Sequence, residues 1–335
     1  METDFAVEAV EIGAIKAHPN ADRLDIAVIK GWQVVVGRGE FAAGDRALYV
    51  PVDAVLPLEL SDRWAVTKYL SKQRVRAARL RGEMSYGFLA PLEPIGGAIP
   101  KTGVDLTEHY GITKYETPVK FIAGEAEHQN PRFFCYGKIY NYRNFPGVIL
   151  EGDEVVITEK VHGINCRVGL VFDGDERVPS CGSHNVQRRL GTGSLFEAPL
   201  GHAGVEELLA SFEEDVILYG ELYGRNVQDL EYGREGIGFI AFDLCVSGRF
   251  LPWDRFAASC AGHGVSHVPV LYRGPFVGVA ALAIAQGESA LAPGQMREGC
   301  VIKPVDEATN PEIGRVVLKI ISDDYLLRNG GSEAH

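Results

Sequence analysis

Apolar positions in the first third of the chain come in short runs rather than at helical spacing. Val7 to Ile15, Asp25 to Ile29, Gln33 to Val36, Arg46 to Val50, Val75 to Leu80 and Tyr86 to Leu89 each predict a strand. Gly31, Gly37, Gly44, Pro51 and Gly82 punctuate them, as turn residues do between strands. Only Trp64 to Leu70 has helical character. About five short strands with a single helix predict a small closed barrel, for which an OB-like fold is the commonest form.

Between about Tyr110 and Pro131 the pattern loosens around Thr117-Pro118, Gly124, Glu125, Glu127 and Asn130-Pro131, which predicts a linker. The expected organisation is a first domain over residues 1–115, a linker over 116–138 and a larger domain over 139–335. In the larger domain Glu154 to Thr158, Cys166 to Phe172, Val216 to Leu222, Gly238 to Leu244, Cys300 to Lys303 and Arg315 to Ile320 predict strands. Val205 to Phe212, Asp254 to Cys260 and Val277 to Gln286 predict helices. The fold class is α+β, with antiparallel sheets and flanking helices, and the sequence carries neither an internal repeat nor a low-complexity segment.

A chain of 335 residues, 46% hydrophobic and 23% charged, is long enough for two domains with separate cores. No run approaches the roughly 18 consecutive apolar residues of a membrane helix. The start METDFAVEAV lacks the basic and apolar regions of a secretory signal. The expectation is a cytoplasmic monomer without a membrane partner. Cys135, Cys166, Cys181, Cys245, Cys260 and Cys300 are scattered without a CxxC pair, so buried free thiols are expected rather than a zinc site. His263 and His267 flank a Gly-Val turn without a third ligand in view.

The 33 basic and 45 acidic side chains give 33 − 45 = −12, which argues against a protein that coats nucleic acid generally. A polyanion would have to meet a local basic surface or arrive with metal ions. One such surface is predicted where Lys72, Arg74, Arg76, Arg79 and Arg81 crowd near Trp64, Tyr69 and Tyr86. Arg74, Arg76, Arg79 and Arg81 are the candidate nucleic-acid contacts; an ordinary solvated strand face is the alternative. Ala17-His18-Pro19-Asn20-Ala21-Asp22-Arg23-Leu24 resembles the start of tRNA-binding OB domains attached to some aminoacyl-tRNA synthetases. Its physical content is a turn between two strands.

Polar residues interrupt the larger domain in an ordered series: Glu159-Lys160-Val161-His162-Gly163-Ile164-Asn165, Ser183-His184-Asn185, Tyr219-Gly220-Glu221-Leu222-Tyr223-Gly224, Phe239-Ile240-Ala241-Phe242-Asp243, and Arg297-Glu298-Gly299-Cys300-Val301-Ile302-Lys303 followed by Leu318-Lys319. Each lies at a predicted strand end. Lys160 is a candidate nucleophile, because an amine attacks only when neutral and burial beside cations such as Lys303 and Lys319 favours that form. Gly163 lets the backbone approach a ligand and Asn165 offers an amide. Phe242 offers a flat face for a base and Glu221 an acceptor for ribose hydroxyls. Asp243 and Glu298 are hard oxygen ligands suited to Mg²⁺ or Mn²⁺.

This ordered set resembles the covalent nucleotidyltransferase superfamily, the ATP-dependent ligases and RNA capping enzymes, over about Ile139 to Ile321. The form Glu-Lys-x-His-Gly-x-Asn is similar to the RNA-ligase branch. With an OB-like domain in front, the chain looks most like the Deinococcus-type nick-sealing RNA ligases. The resemblance implies an N-terminal OB-like β-barrel followed by an ATP-grasp-like ligase domain. It implies RNA repair, with ATP and Mg²⁺ or Mn²⁺ as cofactors and a nicked RNA duplex or broken strand, on an RNA or DNA template, as partner. It makes Lys160 the residue that takes AMP, with Asp243 and Glu298 as catalytic and metal residues. Glu159 and Phe242 would lie at the base, Glu221 at the ribose, and Asn165, Lys303 and Lys319 at the phosphates, with Val161 also among the cofactor-binding residues.

The chain departs from the superfamily pattern at His184, where Arg is usual, at Val317, where a Lys is common, and at His162, where many ligases carry Asp. DNA ligases and capping enzymes usually place an OB domain after the transferase domain, whereas about 16 residues follow Lys319 here. A non-catalytic RNA-binding protein with a vestigial transferase domain is the reading of another class, and the presence of Lys160, Glu221, Glu298 and Lys319 argues against it.

Overall fold

The structure is a computed structural model that describes residues 5–116, 125–328 and 331–332. The chain forms two compact units. Over the described residues, the smaller is built from 5–116, 140–146, 323–328 and 331–332, and the larger from 125–139 and 147–322. Residues 140–146, 323–328 and 331–332, expected with the larger domain, thus fall in the smaller unit.

In the smaller unit Ala14–Ala17, Leu24–Ile29 and Trp32–Gly37 form an antiparallel meander, and Arg46–Val50 pairs on one side with Glu8–Glu11 and on the other with Phe88–Ala90. Trp32, Val34 and Val36 are buried while Gln33, Val35 and Gly37 are half-buried, the two-residue alternation of a strand with one core face. Val7, Ala9, Leu48, Val50, Leu56, Leu60, Val75 and Ile112 make its core. The helix lies at Leu58–Arg63, earlier than Trp64 to Leu70, and only a 3₁₀ turn follows at Thr67–Tyr69. Pro57 precedes the helix, which ends at Arg63, and Ala65 at φ 55°, the second residue of the expected segment, keeps it from continuing. The Ala17–Leu24 turn is structural. The buried His18 ring accepts from the Asn20 N–H at 3.1 Å and reaches the Leu80 carbonyl at 3.0 Å, and the Asn20 amide donates to the Arg81 carbonyl.

The arginine cluster departs from a solvated or ligand-facing strand. Arg74 is 8% exposed. It donates to Asp53 Oδ1 from Nε at 2.9 Å and from an NH₂ at 2.6 Å, donates to the Gly331 carbonyl, and stacks on Tyr115. Arg76 donates to the Arg328 carbonyl. Buried Arg74 is committed to these contacts, whereas Arg76 is half-buried and spends one donor on the Arg328 carbonyl. Arg79 and Arg81 are exposed, with Arg79 at 3.5 Å from Asp324. Trp64 and Tyr86 pack inside the unit, and of the three flanking aromatics only Tyr69 stands open to solvent.

The larger unit contains two principal antiparallel sheets. One runs Gln187–Arg188, Glu176–Ser183, Ile164–Asp173, Val216–Gly224, Ile237–Val246 and Arg249–Phe250. The other contains Leu318–Ile321, Gly299–Pro304, Glu154–Lys160 and Val270–Pro275 in that order. Val156, Val168, Leu218, Ile240 and Leu244 form the main core with Leu208 of the helix Ala203–Ala210 and Phe256 of Trp253–Gly262. A second cluster joins Phe133 and Tyr136 to Val171, Ile217, Tyr219 and Cys245. The predicted linker belongs to the larger unit over its described residues 125–138, where Phe133 and Tyr136 are buried and Asn130 is hydrogen-bonded to the Phe172 carbonyl and to Gln187, while much of the rest is exposed; residues 117–124 lie outside the described ones. The helix expected over Val277 to Gln286 is shorter, a 3₁₀ turn at Gly278–Ala280 and one helical turn at Ala281–Ile284. Five cysteines are buried and free as expected, while Cys135 is exposed. Among the described residues no helix is long and apolar enough to cross a membrane.

Candidate active site

The strand Glu154–Lys160 begins in the buried run Val155-Val156-Ile157 and ends on Lys160. Its register against Gly299–Pro304 sets Val156 opposite Lys303, Thr158 opposite Val301 and Lys160 opposite Gly299. Val301 in turn opposes Lys319. Opposed residues of antiparallel strands share a face, so Lys160, Lys303 and Lys319 emerge on the same side of the sheet. Gly299 is demanded by this geometry, since a Cβ there would lie 2.0 Å from the Ile320 carbonyl oxygen.

Lys160 Nζ donates to Glu298 Oε1 at 2.7 Å. Glu298 is fully buried, and Lys160 is 15% exposed at its side chain. The contact that holds the amine is thus a carboxylate, in place of the expected cations. Lys303 instead donates to Asp243 Oδ1 at 3.0 Å and lies over the rings of Trp253 and Phe256.

Asp243 differs most from its expected role as a metal ligand. Its Oδ2 receives Arg315 at 2.8 Å and the Tyr136 hydroxyl at 2.7 Å, while Oδ1 receives Lys303. Burial alone would raise this carboxyl, but Lys303 and Arg315 outweigh it and hold the group below the usual carboxylate range. With both oxygens engaged by cations and a phenol, Asp243 anchors Lys303 and Arg315 and has no oxygen turned to a metal. Arg315, which the sequence did not single out, also donates to Glu307 and stacks on Phe250.

Gly163 turns the chain hard against the neighbouring sheet: a Cβ there would sit 2.3 Å from the Leu222 carbonyl and 3.2 Å from Glu221 Oε2. The next strand places Asn165 directly opposite Glu221. Asn165 Oδ1 and Glu221 Oε2 are buried and find no hydrogen-bond partner among the described residues. Buried acceptors left unmade are costly, so this pair is preset for donors from a ligand. Burial pushes the Glu221 carboxyl up to about 8, with Glu298 adding to the rise and Lys160 opposing it.

Other expected contacts are already committed within the protein. Glu159 accepts from the Ser289 hydroxyl at 2.5 Å and the Ala290 N–H at 2.7 Å, so its carboxylate holds the loop before Glu298. Burial raises this carboxyl and those bonds moderate the rise. Val161 packs its side chain in the main core. Phe242 falls at an irregularity where Tyr219 pairs with Asp243 but Gly220 pairs with Ala241, and its ring meets Tyr136 edge-on at 5.0 Å. Phe239 lies against Gly220, where a Cβ would approach its ring to 2.5 Å.

Sequence reasoning also passed over Arg167, a fully buried guanidinium in the apolar strand Ile164–Asp173. It donates to the carbonyls of Ser183 and Phe133 at 3.1 and 2.6 Å and to Gln129 Oε1 at 3.0 Å. Its signal was a lone arginine between Cys166 and Val168. It fixes the backbone beside His184, whose Nδ1 is buried without a partner among the described residues. Burial most of all, with the Arg167 charge acting in the same direction, pushes the His184 imidazole down.

The residues fit a nucleotide better than a protein-only metal site. Among the described residues no group of three or more His, Cys, Asp and Glu is arranged to hold a metal. Glu298 would hold a divalent ion only together with phosphate oxygens. His263 is bonded to the Ser259 carbonyl, and His267 packs on Trp253 and Phe256.

Comparison with known proteins places the strands that carry these residues within a family match. A family described as RNA ligase matches residues 153–321, and an OB-fold domain family matches residues 7–92. Among solved structures, a lysine-to-alanine variant of Naegleria gruberi RNA ligase with ATP and Mn is 25% identical, with a TM-score of 0.81 over 96% of this chain and 98% of that one. The same ligase with PPi is 26% identical, with a TM-score of 0.81 over 96% and 97%. A lysine-to-methionine variant with AMP and Mn is 26% identical, with a TM-score of 0.80 over 96% and 98%. None of the curated proteins matches this chain.

Proposed function

The chain belongs to the RNA ligase family, and from that premise we propose that it is an ATP-dependent ligase that seals RNA 3′-hydroxyl and 5′-phosphate ends through a lysyl-AMP intermediate. The observation that carries this is Lys160, mounted on a buried strand with its amine 2.7 Å from the buried Glu298, inside the matched segment.

In the first step the Lys160 amine, having lost a proton to solvent, attacks the α-phosphorus of ATP. A P–N bond forms and the P–O bond to pyrophosphate breaks. Asn165 and Glu221 offer the preset acceptors for ribose or amide donors, and Lys303 and Lys319 lie on the face where phosphate oxygens would sit. A divalent ion, when bound, supplies charge to offset the triphosphate, and Glu298 is the carboxylate placed to hold it. AMP then passes to an RNA 5′-phosphate, the P–N bond breaking as the new anhydride forms. Finally a 3′-hydroxyl attacks that phosphate, closing the phosphodiester and expelling AMP.

The test is transfer of label from α-phosphate-labelled ATP to the protein in the presence of Mg²⁺ or Mn²⁺. Wild type is expected to retain label and Lys160→Ala to lose it completely. An unlabelled wild type under both metals would overturn the proposal. Sealing of a 5′-phosphate RNA nick on RNA and DNA templates then assigns the substrate, and equal sealing of all-DNA nicks would assign a DNA ligase instead.

A further inference from the structure

Tyr232 holds a left-handed backbone conformation, φ 54°, and Asn226 in the same loop has φ 66°. For a bulky side chain this is a strained state that persists only where the surroundings over-determine it. At Tyr232 they do. Its N–H donates to Gln295 Oε1 at 2.9 Å, its ring meets Tyr223 edge-on at 5.5 Å, and its hydroxyl accepts a 2.6 Å hydrogen bond from the backbone N–H of His162.

Three positions earlier in the same loop, Asp229 Oδ1 lies 2.7 Å from His162 Nε2. Asp229 is 56% exposed at its side chain, whereas the His162 side chain is 1% exposed, so the loop sends a carboxylate inward to a buried ring. On the other side of that ring, His162 Nδ1 lies 3.5 Å from Glu298 Oε2, and Glu298 Oε1 receives Lys160. Asp229, His162, Glu298 and Lys160 therefore lie in one line, hydrogen-bonded at its two ends, while the His162–Glu298 step is an electrostatic contact at 3.5 Å and not a hydrogen bond.

We propose that the loop joining Val216–Gly224 to Ile237–Val246 is a positioning latch for the nucleophile. Tyr232 fixes the backbone of His162, Asp229 fixes its ring, and the held ring fixes the Glu298 carboxylate that places Lys160. Asp229 and Tyr232 are positioning residues, acting through His162 and Glu298. The inference rests on the lysyl-AMP proposal above. Its physical basis is that in-line attack requires the reacting atoms within about 3–3.5 Å, and a misplacement of about 1 Å costs on the order of 100-fold in rate. The left-handed Tyr232, through its bond from the His162 N–H, ties the loop to the chain two residues after Lys160.

Asp229→Ala and Tyr232→Phe are compared with Asp229→Asn, which keeps an oxygen acceptor. Single-turnover labelling from α-phosphate-labelled ATP is measured across ATP concentration. Asp229→Ala and Tyr232→Phe are each expected to lower the maximal labelling rate by about 10-fold, the lower end of losses seen when a carboxylate orienting a site histidine is removed. Half-saturation by ATP should stay within about twofold, and Asp229→Asn should recover most of the rate. Wild-type rates in both Asp229→Ala and Tyr232→Phe, a loss confined to half-saturation, or an Asn variant as slow as the Ala variant would each overturn the latch. A second readout needs no ATP: the His162 imidazole resonance, assigned by its absence in His162→Gln, should shift or broaden in Asp229→Ala. An unchanged resonance overturns the latch, whereas a wild type that takes no label overturns the lysyl-AMP proposal and leaves this readout standing.

Discussion

At the scale of the residue, the most informative group is Glu221. Its carboxyl is pushed from an ordinary 4.5 to about 8 by burial first, with Glu298 in the same direction and Lys160 against. Because the folded protein then binds this proton more tightly than the unfolded chain, the group's contribution to stability is fully present below about 4.5 and is lost as pH rises through about 8. Glu221→Gln is expected to flatten this part of the melting temperature against pH, and equal slopes for both proteins would refute it. A hydroxyl-bearing nucleotide donates to the ionised acceptor and favours it, so AMP should stabilise the wild type more at pH 8 than at pH 6, read as the shift in melting temperature. The sequence made Lys160, Glu221 and Glu298 visible because their order along the chain carries information beyond each residue alone. It could not make Arg167 or Arg315 visible, since a lone arginine in or beside an apolar strand does not reveal whether it is solvated or buried on carbonyls and carboxylates. The same blindness gave Asp243 to a metal, when the cations that claim it come from residues 60 and 72 positions away.

At the scale of the element, the strands that carry the site were legible because their apolar runs are bounded by glycine. Glu154–Lys160, Ile164–Asp173, Val216–Gly224 and Gly299–Pro304 all include the stretches that alternation predicted. What alternation could not supply was how closely neighbouring strands approach. Gly163 shows the consequence, since any Cβ would meet the Leu222 carbonyl at 2.3 Å. Gly163→Ala must therefore push the Lys160 turn from the strand that bears Glu221. The expected outcome is a loss of about 1–3 kcal/mol, the usual cost of overpacking, measured by chemical denaturation, together with slower labelling of Lys160. Gly147→Ala, where a Cβ meets nothing within 4 Å, is the control and should leave labelling unchanged. The helix expected at Trp64 to Leu70 failed for a local reason: Ala65 takes a left-handed conformation, and the Ser61 hydroxyl ties Thr67 and Gln73 into a turn. Helical periodicity over so few residues does not register such side-chain bonds.

At the scale of the whole molecule, the smaller unit is assembled from three separate stretches of chain, which is why a boundary drawn from local composition assigned residues 140–146, 323–328 and 331–332 elsewhere. The described end of the chain is held within that unit by buried polar contacts. Asp53 receives Arg74 on Oδ1 and the Ser332 hydroxyl on Oδ2 at 2.7 Å, and Arg74 also donates to the Gly331 carbonyl. Removing one partner of a buried ion pair leaves the other charge uncompensated and typically costs about 3–5 kcal/mol. Arg74→Ala should therefore destabilise the smaller unit by that order, seen as a lowered unfolding midpoint or as an early separate transition. Arg79 and Arg81 are exposed, and Arg79→Ala with Arg81→Ala should change stability by no more than about 0.5 kcal/mol. If this face meets a nicked duplex, the pair should lower the slope of log affinity against log salt by up to about 2, one phosphate for each guanidinium. The two measurements separate what composition had merged: a buried arginine answers to denaturant, and a phosphate-binding one to salt. An unchanged salt slope in the Arg79 and Arg81 variant would remove these two exposed arginines from nucleic-acid binding, and an unperturbed unfolding midpoint in Arg74→Ala would refute the buried ion pair as a tie for the chain end.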